Sequence, residues 1–482
     1  MISAFVATVL LARGAHGAAL ASMNAVTSSG TQLTTTITVD EYTLTLTAPS
    51  AITFKTRGYF PAGVTPVDSV DIMAVGPLLR FAAGDTVNLT LVNQLAPSPG
   101  TTTTLNALHS PGTTNIHTHG LHVDSDDPQD NVYVSVAPGA SHTYSYSIGA
   151  AHMGGTHWYH AHFHGNTALH VGNGLVGMLV VKDAADEVPA DLAALSEIAL
   201  MLQKFEPTAT QTIAADFVDG GDGWTQSGNT GLVNGDSYWM VNGQYNPTAT
   251  VEAGQWTRVR MAYSSLDSPV SIAIGTNSLG CEWKLLAKDG IYVKNAPRTL
   301  TIVHMAPGNR ADVVVKCTTA GTFTVTATTT AGPGGPGGPG GPGGRRKLLQ
   351  AETVATLLTF TVSASTKTAA GALTTFTAKM PAYLADVYDT AAVKAKGVTV
   401  ETHTMALGMI AGGCQVGFDT VTKSYDGVTH GSMVAGTVQE WSISGNDRHP
   451  FHIHINSFQL GGGPDTRWTA RHCSARGRTV GV

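Results

Sequence analysis

Nineteen histidines are spread unevenly through 482 residues. Eleven fall between positions 109 and 170, and three more stand together in HPFHIH, residues 449–454. The first group holds two clusters, NIHTHGLH (115–122) and GTHWYHAHFHG (155–165). Side chains two apart along a strand project from the same face. His117 therefore pairs with His119, His160 with His162, and His452 with His454. Imidazole is a common ligand for copper and zinc near neutral pH. One His-x-His pair is weak evidence, because surface histidines are common, but three such pairs in one chain point to a metal site. Catalytic zinc uses three protein ligands and an open position, so paired motifs on several strands suit a multinuclear site better.

The elements that must carry these pairs show in an internal repeat. FAAGDTVNLTLVN (81–93), VEAGQWTRVRMAY (251–263) and MVAGTVQEWSISG (433–445) each give an apolar residue, an Ala-Gly turn and a largely alternating strand. Their glycines, Gly84, Gly254 and Gly436, are 170 and 182 residues apart, so the repeating unit is a whole domain. Charged residues make up 12% and hydrophobic ones 42%, with 55 Gly. That mix suits short strands and tight turns, an all-β class of antiparallel sandwiches. Counting 17 residues from Gly254 and from Gly436 reaches Ser271 and Ile453, so to within one residue SPVSIAI (268–274) lies against HPFHIHI (449–455). Ser268, Ser271 and Ala273 then stand where His449, His452 and His454 stand, which puts metal between the first and third copies.

The formal charge of −6 speaks against nucleic acid, whose phosphates call for clustered Lys and Arg. No run approaches the ~18–20 apolar residues of a membrane span. Residues 1–22, with an apolar run from Ile2 to Ala12, read as a signal peptide and imply a secreted or cell-surface protein. Cys281 and Cys317 either form a disulfide, which suits export, or remain two buried thiols. The Gly/Pro stretch 332–349 lies between two strand-like runs and reads as a long hairpin loop within the second copy, a domain linker being the alternative. The passage into the third copy falls around 366–397. DSDDPQDN (124–131) reads as a solvated acidic turn, steering of cations or protons being the alternative, and Asn88-Leu89-Thr90 is a glycosylation sequon set inside a strand.

The three histidine motifs in order, with VNGQYNPT (241–248) and GNRADVVV (308–315) between them, resemble those of multicopper oxidases. The resemblance runs from about residue 30 to Pro464. It implies three consecutive cupredoxin-like Greek-key β-sandwiches: 30–185 with copper ligands, 190–365 without, and 397–482 with copper ligands but truncated. It also implies a trinuclear copper cluster between the first and third domains and a blue mononuclear copper in the third. Carried over by position, His117 and His452 hold the single member of the cluster. His119, His160, His162 and His454 hold the coupled pair, and His449 is one ligand of the blue copper. The implied partners are dioxygen and a small reducing substrate, a phenol or a metal ion. His157, His164 and His122 are either orienting neighbours of the ligands or solvated, and the remaining histidines are structural.

The family's last motif, His-Cys-His, has no full counterpart. RHCSARGRTVGV (471–482) offers His472 and Cys473 followed by Ser474. His452 precedes His472 by only 20 residues, whereas His117 precedes His160 by 43. The stretch 467–482 carries four Arg, no acid and no alternating pattern, so Cys473 is not expected to bind copper and the tail reads as atypical. The expectation is an oxidase impaired in this chain as written. A cupredoxin-repeat protein with a wall or interaction role, binding partial copper or none, is the alternative.

Overall fold

The computed structural model describes residues 17–49, 51–97, 109–205, 238–266, 269–275, 279–329, 353–384, 386–387, 389–410, 413–419, 421–423, 433–434, 436–444, 451–461 and 468–473. His449, Ser268, residues 1–16 and the insert 332–349 lie outside them.

Alternation drives the first sandwich. In the strand Thr86–Asn93, Val87, Leu89, Leu91 and Asn93 turn inward while the residues between them are half-buried. Asn93 is polar yet fully buried. Its amide donates to Gly112 O and Val136 O and its side-chain oxygen accepts from Leu95 N, which removes the desolvation cost. One sheet runs Ala25–Thr27, Leu78–Ala82, Val176–Lys182, Gly155–His160, His117–His119. The facing sheet runs Ile52–Pro61, Gln32–Leu46, Thr86–Asn93, Ser141–Ser147. Between them lie Leu79, Phe81, Val87, Leu91, Tyr144 and Val181. The histidine strand His117–His119 is thus an edge strand, open to a neighbouring domain.

The second sandwich is built from Ser196–Phe205, Thr257–Tyr263, Arg310–Lys316 and Glu282–Lys288 on one side. Thr248–Glu252, Thr353–Ser363, Gly321–Thr329, Val270–Ile274 and Ile302–Met305 form the other. Cys281 and Cys317 form a disulfide within it. Strands Gly321–Thr329 and Thr353–Ser363 pair antiparallel up to Thr329↔Thr353, flanking the Gly/Pro segment. The third region forms a six-stranded sheet in the order Val421–Lys423, Gly413–Phe418, Val400–Ile410, Val438–Ser444, Trp468–Cys473, Gln459–Gly461. Met405, Phe418, Trp441 and Ile443 pack on one another there, with Phe451, Ile453 and Phe458 against them. The three repeat glycines all take positive φ, 89°, 73° and 80°, a backbone region that a Cβ disfavours.

One expectation changes. Residues 468–473, read as lacking a strand pattern, form a strand between Val438–Ser444 and Gln459–Gly461. Backbone pairing with two neighbours overrides the weak local pattern. The stretch from residue 366 packs closely on the second sandwich. Ala370, Leu373, Phe376, Ala378 and Leu384 pack on the second sandwich, and Trp256 Nε1 donates to Gly371 O at 2.9 Å.

Candidate metal centre

Strand register brings the first-domain histidines together. His117 lies opposite His160 and His119 opposite Trp158 in an antiparallel pair, so these four side chains share a face. His162 follows the end of its strand, and its backbone N–H is held by the Asn115 side-chain oxygen at 2.7 Å. Asn115 is itself fixed by donating to Val132 O and Val134 O. The third region delivers Phe451–Ile455 against this face. The ring of His454 stacks on His117 at 4.0 Å between centroids, and His452 stacks on His119 at 3.9 Å. His162 lies 4.8 Å from His454, and His160 lies 5.2 Å from His117. Six of the seven predicted ligands therefore converge, and the seventh, His449, lies outside the described residues.

One donor nitrogen from each of His117, His119 and His452 lies within 4.8 Å of the other two. A metal–imidazole bond is about 2 Å, so donors roughly 4 Å apart bracket an ion, and these need shift by less than about 1 Å. His117 and His119 are buried while His452 keeps an exposed edge. His117 Nε2 is buried with no hydrogen-bond partner, a costly state that a metal would relieve. Burial, then neighbouring imidazoles, push His117, His119, His160 and His454 well below their ordinary value. Burial, then Arg310, push His452 down to about 3. All stay neutral near pH 7 with a lone pair free. The donor set fits copper, for which imidazole is a suitable ligand.

Several supports were not legible beforehand. Asp130, read as part of a solvated turn, is 2% exposed and accepts the Thr118 N–H at 2.8 Å. Its Oδ2 lies 2.8 Å from His117 Nδ1, an ion-pair distance with an off-angle approach for a hydrogen bond. The other acids of the run, Asp124, Asp126 and Asp127, face solvent. His160 Nδ1 donates to Ala161 O at 2.9 Å, which turns Nε2 inward. Trp158 stacks on His160 at 4.2 Å and walls that side. His157 is buried rather than solvated. His122 lies with Nδ1 3.1 Å from Ile455 O and its ring stacked 4.2 Å from Tyr383, tying the two ligand-bearing regions to the connector.

His472 and Cys473 lie in the strand Trp468–Cys473, opposite Gln439 and Val438.

Profiles of the multicopper oxidases match residues 55–186 and 198–338. A multicopper oxidase of Staphylococcus haemolyticus is 25% identical over 241 residues, 50% of this chain and 46% of its own length. A laccase of Cryphonectria parasitica is 27% identical over 297 residues, 58% of this chain and 42% of its own length. The chain thus matches about half the length of these relatives. Two solved multicopper oxidases share the fold, each 18% identical over 96% of this chain. That of Campylobacter jejuni has a TM-score of 0.63 with 91% of its chain covered, and that of Aquifex aeolicus 0.64 with 94%. The cupredoxin-like β-sandwiches, the convergent histidines and both profile matches lead to one conclusion: this chain belongs to the multicopper oxidase family.

Proposed function

We propose that the protein is a copper-dependent oxidoreductase of the multicopper oxidase type, coupling one-electron oxidation of phenols or metal ions to four-electron reduction of dioxygen to water. The observation that carries this is the meeting of His117, His119, His160 and His162 with His452 and His454, sealed by ring stacking across two regions far apart in sequence. In this reading His117 and His452 hold one copper, and His119, His160, His162 and His454 hold a pair. His449 belongs to a separate blue copper. Copper bound there supplies one-electron steps that are stored over several metals. The chain's own part is to hold the ligands ready: Asp130 fixes His117, Ala161 O fixes His160, and Asn115 fixes the backbone at His162. Trp158 keeps water from one flank. The domains 30–185 and 397–482 then carry the ligands, and 190–365 carries none.

An exported location fits the disulfide Cys281–Cys317, since such bonds persist in oxidising compartments. No helix among the described residues is long and apolar enough to cross a membrane.

The sequence reads His472-Cys473-Ser474 where the family has His-Cys-His. Residues 1–482 are therefore expected to bind copper at the clustered histidines yet show no intense thiolate-to-copper blue band and little dioxygen uptake with phenols or Fe(II). Absorption and oxygen-electrode measurements on copper-loaded protein test this. A blue band that disappears in Cys473→Ser would overturn the assignment of the tail.

A further inference from the structure

The second sandwich holds no copper ligand, yet its turn between the strands Ile302–Met305 and Arg310–Lys316 packs directly on the metal centre. Two glycines of positive φ make the approach possible, Gly120 beside the first histidine pair and Gly308 in that turn. A Cβ on Gly308 would sit 3.0 Å from His119 Cε1. A Cβ on Gly120 would overlap the Arg310 guanidinium, so that group lies over the backbone next to His119. Arg310 is 5% exposed. Its guanidinium donates from Nη1 to Gly308 O at 2.8 Å, from Nη2 to Asp289 O at 3.0 Å and from Nε to Thr156 O at 3.4 Å. A guanidinium has five N–H groups, so two have no acceptor among the described residues. The nearest counter-charge, Asp289 Oδ1, is 3.5 Å away on a side chain 40% exposed, where water screens it. The buried cation is screened less.

We propose that Arg310 is a positioning residue for the metal centre, holding the turn against His119 and drawing small anions toward the bound metal. This rests on the copper assignment above. The anions meant are compact ones that bind metals through one atom, such as hydroxide, azide or a halide. The second domain thereby sets the electrostatics of a site whose ligands all come from the other two.

The test is azide titration of the copper-loaded full chain, read by absorption, with copper content measured in parallel. Arg310→Met is expected to keep its copper while azide affinity falls about tenfold, the low end of what one nearby charge does to a buried equilibrium. Arg310→Lys, which keeps the charge, is expected within about threefold of wild type. Asp289→Asn removes the counter-charge while keeping a side-chain oxygen for the Arg310 backbone N–H and the Asn309 amide that Asp289 accepts, and is expected to raise azide affinity about twofold. This variant keeps the idea testable if Arg310→Met misfolds. Copper-replete Arg310→Met with unchanged azide affinity would overturn the proposal, as would an Asp289→Asn protein that binds azide no better than wild type. Failure of the wild-type chain to bind copper would instead sink the reading on which it rests.

Discussion

Asp312 joins the first two sandwiches, and removing its carboxylate should have a large, measurable cost. It is 1% exposed. It accepts from Arg258 Nη2 at 2.6 Å, Arg258 Nε at 3.2 Å, Arg260 Nη1 at 2.9 Å and Thr156 Oγ1 at 2.6 Å. Thr156 lies on the strand that ends at His160, so the cluster also anchors the metal site. Breaking a buried pair by removing one partner costs about 3–5 kcal/mol, because the remaining charge stays buried. Here both guanidiniums keep another carboxylate: Arg258 has Asp183 at 2.6 Å and Arg260 has Glu197 at 2.5 Å. The low end applies, about 3 kcal/mol. At roughly 2–4 °C per kcal/mol for a domain of this size, Asp312→Ala should lower the midpoint of unfolding by about 6–12 °C. Asp312→Asn keeps the volume and one acceptor and should fall between. Scanning calorimetry of metal-free protein measures both. A midpoint for Asp312→Ala within 2 °C of wild type would refute the argument that this carboxylate compensates two buried cations.

Three further outcomes follow. Asp130→Ala frees His117 to rotate and should weaken copper binding by about 10–100-fold, the usual effect of losing an orienting partner; equilibrium dialysis against a copper buffer reads it. Reducing Cys281–Cys317, or replacing both by Ser, opens a loop of 36 residues and should cost about 4 kcal/mol on the chain-entropy account, seen in denaturant unfolding with and without reductant. Burial alone would raise the Glu197 carboxyl, but the Arg260 and Arg258 guanidiniums overcome it and hold it at about 2, against an ordinary 4.5. A depressed folded value means stability is present above about pH 4.5 and is lost as pH falls toward 2. Glu197→Gln should flatten that acid limb in metal-free protein, and an unchanged limb would count against the pairing.

Much of this architecture was readable from local pattern. The Ala-Gly turns of the repeat are turns because all three glycines take positive φ, and the His-x-His spacing put His117 and His119 on one face because the strand period is two. The supports were hidden for a physical reason: each acts across long sequence separation. Asp130 sits in an acidic run whose other members are solvated, and the Thr118 N–H and the neighbouring His117 ring turn it inward. Arg310 and Gly308 come from the second sandwich, which supplies none of the clustered histidines, and Tyr383 comes from a connector without periodicity. The strand Trp468–Cys473 was missed because partner strands, rather than its own alternation, define it.

The most direct test of the central claim is copper bound per chain, measured by elemental analysis after dialysis, for wild type, His117→Ala and His454→Ala. These two rings come from regions more than three hundred residues apart and stack at 4.0 Å. If they share one centre, wild-type protein holds copper and either substitution releases most of it while the fold, followed by circular dichroism, persists. Folded variants that retain the wild-type copper content would contradict a centre built jointly by the first and third domains.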